Sequence, residues 1–371
     1  MARRKDPPPT SPPKSPRAGT GRNRQPTIND IARISAVSKK TVSRVINDSP
    51  LVQEETRARV AEVMRKFAYV PDPQARGLAF RRSFLIGLVY DNPNAEFIVN
   101  MQLGALDALR GSGYELIVHP CDRRSTGFVE GVRQFVGRQK LRGVILLPPL
   151  SEDVQLIEAL HSAGCPSVSL ASVDISQATH RVVSSDRDAC AALAAHLVNL
   201  GHRRIGLVRG PEGHRSAHER RIGFLEALRA RGVHIDETLV VSGGYTFESG
   251  IEAGELLLSR SDRPTAIFAS NDEMAAGIYQ AAYHLGLRIP DDVSVVGFDD
   301  GQIASRLWPP LTTIRLPIRV MARIAATKLI QNASATEPAT DETVYVIPHL
   351  VERASARPPR TPGTSSRETA S

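Results

Sequence analysis

From residue 84 to residue 297 the chain alternates short apolar runs with amphipathic stretches long enough for helices, and this alternation constrains the fold more than any other feature. Apolar runs joined through helices are the pattern of βαβ units in a parallel sheet. Strands are predicted at 84–90, 114–119, 143–148, 166–170, 204–208, 265–269 and 293–297, with helices between most of them. So many strands imply two parallel-sheet lobes within an α/β unit spanning 84–353. Ligands in such folds bind beyond the carboxyl ends of the strands, which places the expected site in a cleft between the lobes.

The residues before this unit carry a different signal. Residues 1–82 hold 18 Lys and Arg against 7 Asp and Glu, while the remainder of the 371-residue chain holds 29 against 32. A basic segment beside a near-neutral body is the footprint of a nucleic-acid-binding module, because cations displace counterions condensed on phosphates. On charge alone a solvated basic tail fits equally. Residues 1–25, rich in Arg, Lys, Pro, Ser and Thr, cannot bury enough apolar surface to order themselves and are predicted to be a disordered basic arm. Residues 354–371 are predicted to be a disordered tail for the same reason.

Cys121, Cys165 and Cys190 are widely spaced and show neither a disulfide framework nor a zinc pattern, so reduced thiols and no metal are expected. No apolar run approaches the roughly 20 residues of a membrane span, and the basic start runs into prolines, not an apolar signal core. A cytoplasmic, nucleoid-associated location is expected.

Residues 26–71 are predicted to form an all-α domain. Thr27-Ile-Asn-Asp30 has the form of a capping box that starts a helix at Ile28 and ends near Ile34. After a turn at Ser35-Ala36-Val37, Ser38 is placed to cap a second helix, Lys39 to Asn47, with Val42, Val45 and Ile46 inward and Lys39, Lys40, Ser43 and Arg44 outward. A third helix turns Val60, Val63, Met64 and Phe67 inward. Two short helices with this turn form a helix-turn-helix, whose second helix suits the major groove.

These residues resemble the lactose-repressor/galactose-repressor family of bacterial regulators. The likeness is carried by Thr27-Ile-Asn-Asp-Ile-Ala-Arg, Val37-Ser38, Thr41-Val-Ser-Arg-Val-Ile-Asn47, Thr56-Arg57, Tyr69-Val-Pro71 and Ala75-Arg-Gly-Leu78, and continues through Arg353. The resemblance implies a periplasmic-binding-protein-like sensor behind the helix-turn-helix and a homodimer on a palindromic operator. It implies DNA contacts from Thr27, Ser38, Lys39, Lys40, Thr41, Ser43, Arg44, Asn47 and Tyr69, with Lys39 and Lys40 selecting bases. It also implies that 72–83 is a hinge, helical when two subunits pair over the minor groove, with Leu78 wedged into a base step. Two positions depart from the family: Ala36 stands where Gly is usual, which strains a left-handed turn, and Asp72 where many relatives have Asn.

Loop motifs at the predicted strand ends combine carboxylates, amides, a guanidinium and aromatics, a set suited to a sugar-like molecule. By the resemblance, Arg220, Asn271 and Asp299 contact effector and Tyr245 supplies an aromatic wall, with Asp91, Ser216 and Phe247 as further pocket residues. Asp300 is assigned to structure, and the only tryptophan, Trp308, to a buried core. A repressor of carbohydrate uptake or catabolism genes follows, with Arg220→Ala expected to abolish the effector response while sparing operator binding. A periplasmic-type solute-binding protein shares the two-lobed fold but leaves residues 27–79 without a purpose. Asp91, Asp299 and His218 form no nucleophile–base, phosphate-loop or metal motif, so neither catalysis nor a cofactor is expected.

Overall fold

The computed structural model describes residues 26–46, 49, 51–69, 83–173, 180–331 and 342–360. The arm at 1–25, the hinge up to residue 82, and Asn47 and Leu78 lie outside the described residues. Two units separate within the chain and are taken one at a time.

The first unit holds α1 (Ile28–Ile34), α2 (Lys39–Ile46) and α3 (Glu54–Lys66). At the start of α1 the Asp30 carboxylate accepts from the Thr27 backbone N–H at 2.9 Å and from its hydroxyl at 2.7 Å, completing a capping box. The Ser38 hydroxyl caps α2 by accepting from the Thr41 N–H at 3.1 Å. Ile31, Ala32, Val42 and Val60 are buried at the centre, with Val45, Ile46, Val63, Met64 and Tyr69 packed around them. Phe67, expected inward, is instead 40% exposed: it follows the last residue of α3, where the chain has left the helical path that carried Val60 and Val63 to the core. Ala36 has a φ of 54°, so the turn keeps its left-handed geometry although alanine occupies it.

The first lobe of the second unit is built from β1 (Leu85–Tyr90), α4 (Ala95–Leu109), β2 (Glu115–Pro120), α5 (Phe128–Gln139), β3 (Gly143–Leu146), α6 (Val154–Ser162), β4 (Ser167–Ala171) and β5 (His180–Ser184). The chain then crosses to the second lobe through α7 (Asp186–Asn199), β6 (Ile205–Arg209), α8 (Arg215–Arg229), β7 (Val240–Ser242) and α9 (Phe247–Leu258). This lobe continues with β8 (Ala266–Ala269), α10 (Asp272–His284), β9 (Ser294–Asp299), α11 (Gln302–Arg306) and β10 (Thr312–Arg315). Helix α12 (Ile318–Gln331) and β11 (Glu342–Val346) return to the first lobe, and β12 (His349–Val351) to the second. The first sheet has the order β11-β5-β4-β3-β1-β2, parallel throughout. The second has the order β12-β10-β9-β8-β6-β7, parallel except for β10 against β12.

All seven predicted strands are present within one or two residues at each end. Five more, β5, β7, β10, β11 and β12, escaped the sequence reading because they are only 3–5 residues long and several are mixed in polarity, as in His180-Arg-Val-Val-Ser184. Helices close tightly over the sheets: a Cβ added to Gly104 of α4 would lie 2.2 Å from the Arg319 carbonyl oxygen of α12, so only glycine permits that approach.

Two expectations fail here. Residues 354–360 are anchored, not disordered: Ser355 is fully buried, donates to the Val295 carbonyl at 2.6 Å and accepts from the Thr312 N–H at 2.7 Å. A composition poor in large apolar groups is held there by hydrogen bonds to the starts of β9 and β10. Trp308 is 89% exposed, not buried, because the chain passes over the surface between α11 and β10.

Candidate functional site

In the first unit, Ser38, Lys39 and Lys40 are exposed at the start of α2, while Thr41, Ser43 and Arg44 are half-buried along it. Thr27 opens α1, and the Tyr69 ring packs against the core beneath. Of the predicted reading residues described by the structure, Ser38 to Arg44 share α2 and its cap, while Thr27 and Tyr69 lie outside that helix. The two lysines are the first residues of α2 and are exposed to solvent.

In the second unit, strand ends of both lobes converge on a narrow cavity of about 60 Å³. One wall is apolar, from Phe97, Met101, Leu170, Leu316 and Met321; the other is polar. Ser216, Arg220, Tyr245, Asn271 and Asp299 all line it, whereas Asp91 and Phe247 do not. The Asp91 carboxylate is turned to the Arg123 N–H at 3.1 Å, pinning the loop after β2, and Phe247 opens α9. Sequence reasoning missed Ser172, Asp186 and His214 in the lining.

Arg220 organises the polar wall. Its side chain is 7% exposed; Nε donates to Asp186 at 2.8 Å, one terminal nitrogen to the Ser270 carbonyl at 2.7 Å, and the other lies 3.5 Å from Asp299. The guanidinium also stacks over the Phe298 ring, 3.6 Å from its centroid. Asp186 in turn accepts from the Ser184 hydroxyl at 2.5 Å, at the first crossover between lobes. Arg220 is thus a buried counter-ion for two carboxylates that also lines the cavity. Asn271 is similarly occupied: its carbonyl oxygen caps α10 from the Met274 N–H at 2.9 Å, and its amide donates to the Tyr245 carbonyl at 3.0 Å.

Burial raises the Asp299 carboxyl to about 7, with Arg220 opposing and Asp186 adding to the shift. Asp272, buried behind it, is raised well above the usual carboxylate range by the same desolvation and by Asp299, despite hydrogen bonds from Thr313 and Gly301. Burial pushes the Tyr245 phenol up to about 12, against the pull of Arg220. The backbone is strained at the same place: Tyr245, Asp299 and Asp300 have φ of 63°, 113° and 55°. Non-glycine residues held this way cost roughly 1–3 kcal/mol each and concentrate at ligand clamps. Asp300 is clamped by Arg315 at 2.5 Å and Arg353 at 2.6 Å.

On opposite flanks of the cavity, two carboxylates of the first lobe cross to helix starts of the second. Glu96 accepts from the Gln302 N–H at 2.7 Å, and Glu152 from the Arg215 N–H at 3.3 Å. Backbone N–H groups at a helix start carry partial positive charge and favour such carboxylates. The lobes are closed on each other through these two contacts. No helix among the described residues is long and apolar enough to cross a membrane.

A family model described as "Bacterial regulatory proteins, lacI family" matches residues 27–72, and one described as "Periplasmic binding protein-like domain" matches residues 194–356. The chain is 33% identical over 330 residues to the HTH-type transcriptional regulator CelR of Thermobifida fusca, a match covering 85% of this chain and 95% of that one. Among solved structures it resembles a transcriptional regulator CelR–cellobiose complex, at a TM-score of 0.66 and 30% identity, covering 89% of this chain and 100% of the other. It also resembles the Lac repressor dimer bound to operator and the anti-inducer ONPF, at a TM-score of 0.72 and 28% identity, covering 90% and 100%.

Proposed function

The chain belongs to the lacI family of bacterial regulatory proteins, and on that premise we propose that it represses carbohydrate uptake or catabolism genes by binding a palindromic operator as a homodimer, under control of a sugar-like effector in the cleft. The observation that carries this reading is the Asp186–Arg220–Asp299 cluster facing an apolar wall at the crossover of two lobes, in a chain whose first described unit is a helix-turn-helix. Ligand hydroxyls pair with the polar side and a ring face rests on the apolar side. Lys39 and Lys40 select bases, Arg44 supports them, and no catalytic step is assigned to any residue.

A second subunit is supported by exposed apolar side chains. Val99, Leu103 and Leu106, at 51%, 40% and 44% exposure, fall on one face of α4 by their spacing. Closure of the cleft draws the flank contacts of Glu96 and Glu152 together and shifts one lobe against its dimer mate, altering the spacing at which the hinges around Leu78 leave the body. Effector and operator are coupled because they prefer different closures, or the same one.

A gel shift of the gene's own upstream DNA, with and without candidate sugars, tests the proposal. The expected result is a specific complex whose stability changes with at least one sugar. A complex no stronger than that with unrelated DNA of equal length contradicts it.

A further inference from the structure

The cavity lining leaves three polar atoms unmatched. Ser172 Oγ, His214 Nδ1 and the Tyr245 hydroxyl are buried without a hydrogen-bond partner, although Ser216 approaches the tyrosine, and all three residues line the cavity. Ser172 follows β4 in the first lobe, while His214 and Tyr245 belong to the second, with their rings edge to face at 5.9 Å. Leaving a buried polar atom unmatched costs about 1–3 kcal/mol, so a lining with three of them, drawn from both lobes, is built for something that satisfies them.

The charges of the same lining restrict what that is. Among the described residues, Asp186, Arg220 and Asp299 are the only charged ones in the lining, and the cation is already engaged by both carboxylates and the Ser270 carbonyl. His214 adds no compensating charge, because burial and Arg123 hold its imidazolium form disfavoured. An incoming carboxylate or phosphate would lose its hydration beside the Asp186 carboxylate and meet no unpaired cation among the described lining residues.

We propose, building on the reading of the cleft as a sugar-effector site, that the effector is uncharged and polyhydroxylated, and that Ser172 and His214 select it by hydrogen-bonding its hydroxyls from opposite lobes. Neutral imidazole, serine and phenol each match a hydroxyl, which both donates and accepts. A hydroxyl bridging Ser172 and the His214–Tyr245 pair is satisfied only with the lobes together, so the same contacts that select the ligand favour closure. The apolar wall of Phe97, Leu170 and Leu316 covers the ring face.

The test is isothermal titration of the full-length chain with matched sets sharing one ring: glucose, glucuronate, glucose 6-phosphate and glucosamine, then the galactose series, with ribose, ribose 5-phosphate and cellobiose added. The expected result is binding by a neutral member, with its acidic and phosphorylated counterparts at least tenfold weaker. Ser172→Ala and His214→Phe each weaken that ligand about tenfold; Ser172→Ala leaves the melting temperature of the free protein unchanged, since its hydroxyl has no partner to lose, and His214→Phe keeps a ring against Tyr245. An anionic or amino sugar binding more tightly than its neutral counterpart overturns the uncharged-ligand claim and leaves the cleft reading standing. A neutral ligand indifferent to both variants overturns the assignment of Ser172 and His214. No binding by any sugar, in protein that still binds its operator, removes the sugar-site reading and this inference with it.

Discussion

Replacing Arg220 with alanine tests the electrostatic frame of the cleft more severely than it tests ligand contact. The residue is a buried counter-ion to Asp186 at 2.8 Å and Asp299 at 3.5 Å, so its loss strands two carboxylates that are themselves almost inaccessible to water. Asp299, already at about 7, takes up a proton, but Asp186 keeps only the Ser184 hydroxyl. Breaking a buried ion pair from one side costs roughly 3–5 kcal/mol. At about 2–4 °C per kcal/mol for units of this size, the melting temperature falls by roughly 6–20 °C. To the sequence-based expectation that Arg220→Ala abolishes the effector response while leaving operator binding intact, the ion pairs therefore add a second effect: the variant is also destabilised. Calorimetry of the full-length protein reads this directly, and adding Asp186→Asn recovers part of the loss by removing the charge that stays stranded. If Arg220→Ala melts within about 2 °C of the natural protein, or if Asp186→Asn deepens the loss, the counter-ion account is wrong.

Three further outcomes follow from particular residues. Ala36→Gly relieves a left-handed alanine worth roughly 1–2 kcal/mol, offset by about 0.4–1 kcal/mol of unfolded-state entropy, so amide exchange in α1 and α2 slows slightly, whereas Ala36→Val speeds it. Glu152 is raised to about 7 by burial, so its stability contribution is full below about 4.5 and lost as pH rises through 7. Melting temperature accordingly drops between pH 5.5 and pH 8, and Glu152→Gln makes that drop shallower; an unchanged slope places Glu152 in solvent. Lys39→Ala weakens binding to the native operator by more than binding to nonspecific DNA, and equal factors would reduce Lys39 to a phosphate contact.

Much of the fold was legible because its signals are local. Runs such as Phe84-Leu-Ile-Gly-Leu-Val-Tyr90 declare a buried parallel strand, and Thr27–Asp30 and Ser38 declare helix starts, since each depends only on neighbours. The crossovers were not legible. Strand β5 carries His180 and Arg181, and Arg181 is held by the Thr343 hydroxyl of β11 at 2.9 Å, a partner 162 residues away. Without β5, Asp186 could not be placed at the cleft, and Arg220 looked like a ligand contact without its counter-ion. Ser172 and His214 were invisible for a related reason: lone polar residues in loops declare a role only when their burial and lack of partners are seen. Phe247 shows the opposite error, an aromatic in a suitable motif that the helix start carries away from the cavity lining.

The central claim is that the cleft and the operator are energetically coupled, and linkage makes that measurable in one experiment. The affinity of the best-binding sugar is determined for the full-length protein twice, free and saturated with operator. The account predicts that the two dissociation constants differ, typically by about 5–150-fold, and that the operator constant shifts by the same factor when the sugar saturates the protein. Identical sugar affinities in the presence and absence of operator, with both ligands demonstrably bound, would contradict it.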